Sequence, residues 1–190
     1  MTVELEKVVT VSEFQTFIKR PENRERRFEL MDGEIVEMPS NPFASVIAIR
    51  IAALLSIYLM QSQHEGYVTG EGGGFIINGQ VFAPDVAYMR NLPTSKGFGE
   101  HPPLLAVEVI SDPTSSAEQT DLRRKLVHYR AMGITVWVVD YLTQRVEVHQ
   151  ADGSMQIYDD TMTLVPGDIL PDFTLPVKDI FPKTDENETE

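Results

Sequence analysis

The sequence predicts a single α/β domain, and three observations carry that expectation. Two short β-rich runs, Ala83-Pro-Asp-Val-Ala-Tyr88 and Leu104-Leu-Ala-Val-Glu-Val-Ile-Ser111, precede a polar helical stretch from Asp112 to about Met132 and a third apolar run, Ile134-Thr-Val-Trp-Val-Val-Asp140. Strand, strand, helix, strand in this order builds a sheet covered by helices. The chain has 190 residues, 42% of them hydrophobic and 24% charged, enough for one domain with a substantial core. Lastly, one acid, Glu108, sits in the middle of an otherwise greasy strand, where an uncompensated carboxylate costs several kcal/mol.

Thr10 and Glu13 have the spacing of a capping box and predict a short helix ending before Pro21. Arg27 to Met31, Asp32-Gly33 and Glu34 to Met38 then read as a β-hairpin, because Asp-Gly accepts the positive φ angles of a two-residue turn. From Asn41 to His64 apolar residues fall on nearly every side, which predicts a helix covered by a sheet and by a further surface. Two or three strands are expected between Tyr67 and Met89, punctuated by Gly70-Glu-Gly-Gly-Gly74 and Asn78-Gly79. The glycine run precedes a strand-like Phe75-Ile-Ile77 and not a helix N-terminus, so it reads as a turn or bulge and not as a phosphate loop. Asn91 to Pro103 is a Pro/Gly-rich loop. Asp112 to Ser116 supplies turn and cap residues for the helix that Gly133 ends, Ile134 to Asp140 is a buried strand, and two further strands flank Ala151-Asp-Gly153.

Composition excludes several chemistries. Without cysteine there is no disulfide, no Cys-ligated zinc and no thiol nucleophile, and no Gly-x-Ser-x-Gly elbow marks a serine hydrolase. The start of the chain has neither the basic nor the apolar region of a secretion signal, so a cytoplasmic address is expected. The longest apolar stretch, Ser45 to Met60, is interrupted by Arg50 and falls short of the ~20 residues that span a bilayer, so no membrane partner is expected. Net charge is −13; residues 183–190 hold four acids and one lysine, which leaves −10 for the remainder. An acidic body opposes tight, nonspecific binding to nucleic acid unless a local basic patch intervenes. Arg24, Arg26, Arg27, Arg123 and Arg124 are the candidates for such a patch, and solvated faces are the plainer account of them.

Asp85 after Pro84, Glu108 in its strand and Lys125 on the following helix form an acid, acid, lysine series suited to metal-assisted hydrolysis. With Glu29-Leu-Met-Asp-Gly-Glu34, Val107-Glu-Val-Ile-Ser111, Tyr129, Gly133 and Val136-Trp-Val-Val-Asp140, this series resembles the Uma-two family of restriction-endonuclease domains from about Arg27 to Phe181. The resemblance implies a restriction-endonuclease-like mixed sheet flanked by helices, with an added N-terminal β-hairpin and C-terminal strands. Residues 1–182 would form that one domain and residues 183–190 an acidic disordered tail. It implies a metal-dependent nuclease in which Asp85, Glu108 and the Val109 carbonyl hold Mg²⁺ or Mn²⁺. Ile110 occupies the position where the parent fold places its lysine, and the resemblance implies that Lys125 reaches back from the helix to assist the attacking water. Oxygen donors without Cys or paired His favour those hard cations over zinc.

Each residue also has a plainer role: Lys125 can pair with Asp121 one turn earlier, Asp85 can be a turn residue, and Glu108 can belong to a buried ion pair. Glu29 and Glu34 are candidates to supplement the site, or else solvent-facing strand residues. His64, His101, His128 and His149 lack ligand spacing and read as surface or boundary residues. The expected partner is nucleic acid, DNA in preference to RNA. A homodimer is expected from the apolar Ser45–Met60 helix and the apolar stretch through Ile180-Phe181. The rival reading is a catalytically inactive nuclease fold serving as an interaction module.

Overall fold

The computed structural model describes residues 8–38, 41–94 and 96–182. The tail at 183–190 lies outside the described residues.

The chain opens with α1 (Val11–Ile18), whose Thr10 and Glu13 form the reciprocal capping box. Hairpin strands β1 (Phe28–Met31) and β2 (Glu34–Glu37) follow, with Asp32 at φ 52 and Gly33 at φ 80 making the turn. Next come α2 (Pro42–Gln61), β3 (Tyr67–Gly70), β4 (Phe75–Ile77), β5 (Gln80–Phe82) and β6 (Val86–Met89). Four strands thus occupy the stretch where two or three were expected. β4 and β5 are three residues each, too short to show an alternating pattern, and their turn is marked only by Asn78 at φ 50 and Gly79 at φ 76. The chain continues through β7 (Leu105–Ile110), α3 (Ser116–Ala131), β8 (Thr135–Asp140), β9 (Arg145–His149), β10 (Met155–Tyr158), β11 (Thr163–Leu164) and β12 (Leu175–Pro176).

Two larger sheets result. The six-stranded sheet runs β10-β9-β8-β7-β6-β3, with β7 and β8 parallel and the other neighbours antiparallel. The hairpin is not an extension of it. Instead β1 and β2 join β5 and β4 in a separate four-stranded sheet, in the order β2-β1-β5-β4. β7 is central, with a strand on either edge and cover on both faces, which is why all six of its residues are buried.

Side-chain alternation divides the core between two faces. Leu105, Val107 and Val109 join Val86, Trp137 and Val139 under α2 and the C-terminal segment from Leu164 to Phe181. Ala106 and Ile110 join Ala87, Val136 and Val138 on the other face, beneath Tyr129 of α3 and Met31, Phe75, Ile77 and Phe82 of the small sheet. Glu108, two residues from each of Ala106 and Ile110, therefore points to the α3 side.

α2 departs from expectation in two respects. Its 20 residues are long and apolar enough to cross a membrane, because Pro42 to Ala44 and Gln61 extend the run beyond Ser45–Met60. Nor is it covered all round. Ala44, Ile47, Ala48, Ile51 and Leu55 meet the sheet, and the C-terminal segment clasps one flank, where Tyr58 donates its hydroxyl to the Pro171 carbonyl and Arg50 donates to the carbonyls of Asp179 and Ile180. The opposite face is open to solvent. Ile180 and Phe181, part of the expectation of a dimer, are buried within their own chain.

Candidate functional site

Four elements converge on Glu108. β7 delivers it to the face shared with α3, and Asp85, immediately before β6, lies on that face as well, in alternation with Ala87 and Met89. On α3, Lys125 and Tyr129 are four residues apart and so share one side of the helix. Glu29 arrives from β1, two residues before Met31, which packs into the same cluster.

The contacts are short and buried. Lys125 Nζ donates to Glu108 Oε2 at 3.0 Å and pairs with Glu29 Oε2 at 2.9 Å. Tyr129 donates its hydroxyl to Glu108 Oε1 at 2.5 Å. Glu29 Oε1 accepts the Ala83 amide at 2.8 Å, and Asp85 Oδ2 accepts the Val109 amide at 2.7 Å. Lys125 and Glu29 are almost fully enclosed, with side-chain exposures of 4% and 1%. The sequence alternative of a pair with Asp121 is not adopted; Asp121 meets Arg124 at 3.5 Å, and Lys125 is turned inward to the two glutamates. The plainer reading of Glu108 as an ion-pair partner, by contrast, is part of the site itself.

Electrostatics follow from this enclosure. Burial pushes the Asp85 carboxyl up, to about 7, and the nearby Glu108 charge adds to the shift. Glu29 is likewise raised, chiefly by burial, although Lys125 opposes the change. Burial alone would lower Lys125, but Glu108 and Glu29 outweigh it and hold the ammonium protonated well above its ordinary range. Burial and then Glu108 raise Tyr129, which keeps its proton available as a donor.

Among the described residues, no group of three or more His, Asp or Glu side chains is gathered as a metal-binding cluster. The oxygen donors still suit a small hard cation. Asp85 Oδ1 accepts nothing from the described residues, and each Glu108 oxygen, with one donor apiece, keeps a lone pair. The Val109 amide faces Asp85, and the carbonyl of a strand residue lies on the same edge as its amide.

Sequence reasoning assigned Tyr129 no role and placed Glu29 only as a supplement. The four-residue spacing of Lys125 and Tyr129 was the available signal for the first. Glu34 lies outside the centre: Arg124 meets it at 2.8 Å and meets Asp32 at 2.7 Å. His128, buried at the rim, accepts from Asn78 at Nδ1 and meets Asp32 through Nε2 at 2.8 Å. Of the five arginines considered for a basic patch, three are engaged by acids: Arg26 pairs with Glu37, Arg27 with Glu71 and Arg124 with Asp32 and Glu34.

The family model described as "Putative restriction endonuclease", Uma2, matches residues 12–178, which include every member of this centre. The chain belongs to the Uma2 family. Its α/β architecture is also that of a crystal structure described as a putative nuclease belonging to DUF820 from Anabaena variabilis ATCC 29413, with a TM-score of 0.74 and 20% sequence identity over 91% of this chain and 97% of the other. No curated protein matches the chain. The matched residues include both partners of the ion pair between Glu108 on its strand and Lys125 on the helix that follows.

Proposed function

We propose that this protein is a metal-dependent nuclease that hydrolyses phosphodiester bonds of nucleic acid, DNA in preference to RNA. The observation that carries the reading is the convergence of Asp85, Glu108 and Lys125 on one face of the central sheet, in a chain of the Uma2 family. Asp85 and Glu108, with the Val109 carbonyl, would hold Mg²⁺ or Mn²⁺, as is typical of restriction-endonuclease-like families. A bound ion of this kind lowers the pKa of water and neutralises charge on a phosphoryl group. The remaining work falls to the chain. Lys125 offers a fixed positive charge to polarise the attacking water or to stabilise charge developing at phosphorus. Tyr129 and Lys125 together fix the rotamer of Glu108, and Glu29 balances the Lys125 charge and limits its movement. The absence of cysteine suits the reducing cytoplasm, and we infer a homodimer there.

The test is cleavage of single- and double-stranded DNA and RNA at low salt with Mg²⁺ or Mn²⁺. Wild type is expected to cleave DNA and Asp85→Ala to be inert. Lys125→Ala, assayed on protein verified as folded, is expected to lose about 100-fold or more in turnover while calorimetry still detects the metal. Equal inertness of wild type and Asp85→Ala on every substrate would replace this reading with that of an interaction module.

A further inference from the structure

The uncovered face of α2 has an internal symmetry. Val46, Ile49, Ala53, Ile57 and Met60 fall within an arc of about 80° on the helix, directly opposite the residues that meet the sheet. Ile49 is 66% exposed, Met60 82%, Ile57 49% and Val46 46%, and Ala53 is exposed as well. Their positions are palindromic about Ala53. Ile49 and Ile57 lie four residues to either side of it, Val46 and Met60 seven. An antiparallel copy of the helix, related by a two-fold axis at Ala53, would set each Ile49 against the other copy's Ile57 and each Val46 against its Met60. The smallest side chain then falls where the two helices come closest.

Charge and area agree with this arrangement. Arg50 is the one charged residue of α2, and its guanidinium is drawn aside to the carbonyls of Asp179 and Ile180 at 2.9 and 3.1 Å. The face therefore carries no charge of its own in a molecule of net charge −13. Its five side chains expose roughly 500 Å² of apolar surface, at the upper end of what a monomer leaves uncovered. Complete burial of this face in two copies, with the flanking Phe43 and Ser56, would remove about 1,000 Å² or slightly more from water, the lower limit for a specific interface.

We propose that α2 is the homodimer seam, an antiparallel helix pair crossing at Ala53, with a second copy of this chain as its occupant. The seam lies across the main sheet from the Lys125 centre, so dimerisation is independent of the chemistry proposed there. Repulsion between two acidic bodies opposes the pairing, and added salt screens it, so the dimer should tighten as ionic strength rises.

Light scattering of the full chain is expected to give about 43 kDa at tens of micromolar, twice the 21.4 kDa of one copy. Ile49→Glu should weaken the dissociation constant 100-fold or more without lowering the melting temperature of the monomer, since the residue is 66% exposed on the face turned away from the sheet. Because the chain has no cysteine, Ala53→Cys provides a second readout: it should form an intermolecular disulfide within minutes of mild oxidation, whereas Val127→Cys, on the exposed side of α3, should not. A wild-type mass of about 21 kDa, or a dimer that Ile49→Glu leaves intact and Ala53→Cys does not cross-link, overturns the proposal. A monomer that co-sediments with phosphatidylcholine vesicles, and loses that property in Ile49→Glu, would overturn it in favour of a lipid surface.

Discussion

At Asp85 a carboxyl faces two opposing demands, the Val109 amide that favours its charge and the burial and Glu108 charge that oppose it. The second pair prevails, and the group titrates near 7 in place of the unfolded value of ~3.9. A raised pKa means that the folded protein binds the extra proton, so the resulting stability is fully present below about pH 4 and is lost as pH rises through about 7. Glu29, raised by its burial, acts in the same direction. In EDTA the wild-type protein should therefore melt a few degrees higher at pH 5.5 than at pH 7.5, and Asp85→Asn should remove much of that difference in scanning calorimetry. An equal slope in both proteins would place the titration elsewhere. Asp85, Glu108 and Lys125 were legible in the sequence because an acid in a greasy strand demands a partner and the order of motifs supplied one. The partners themselves were not legible: nothing local tells Lys125 to pass over Asp121 and span two glutamates, one of them 96 positions away.

α3 shows how an element transmits such geometry. Ser115 caps it by accepting the Glu118 amide, and Glu118 in turn reaches back to accept the Ser111 amide at 2.6 Å and the Asp112 amide at 2.8 Å. The end of β7 is thereby fastened to the first turn of the helix that carries Lys125 and Tyr129. Glu118→Ala should cost about 1 to 2 kcal/mol in urea unfolding, with Glu118→Gln recovering part of it; identical midpoints for all three proteins would show the strap to be idle. The helix itself was legible from its caps, and Gly133 at φ 71 ends it as expected. The hairpin was equally clear from Asp32-Gly33. Its allegiance was not, because which sheet a strand joins depends on backbone partners far along the chain, here Leu30 opposite Val81.

In the whole molecule α3 serves as the clamp between the two large sheets. Within five residues it presents Arg124 to Asp32 and Glu34, Lys125 to Glu29 and His128 to Asp32, all on the β1–β2 hairpin. Fold class and element order were readable from the alternation of apolar runs with a capped helix, whereas this clamp joins charges whose sequence separations no periodicity records. It also orders events in time. Lys125 and Glu108 are 17 residues apart and sit on consecutive elements, so their contact closes a short loop, whereas contact with Glu29 must wait for a closure of 96 residues. The hairpin should accordingly dock after the folding barrier. Glu29→Gln is expected to quicken unfolding several-fold in stopped-flow experiments and to leave the refolding rate nearly unchanged. A refolding rate slowed in proportion to the lost stability would instead put the hairpin in the nucleus. If docking is late, a newly made chain passes through a stage in which Lys125 is held by Glu108 alone, and the hairpin acts as the latch that completes the charged centre only once the rest of the sheet is already in place.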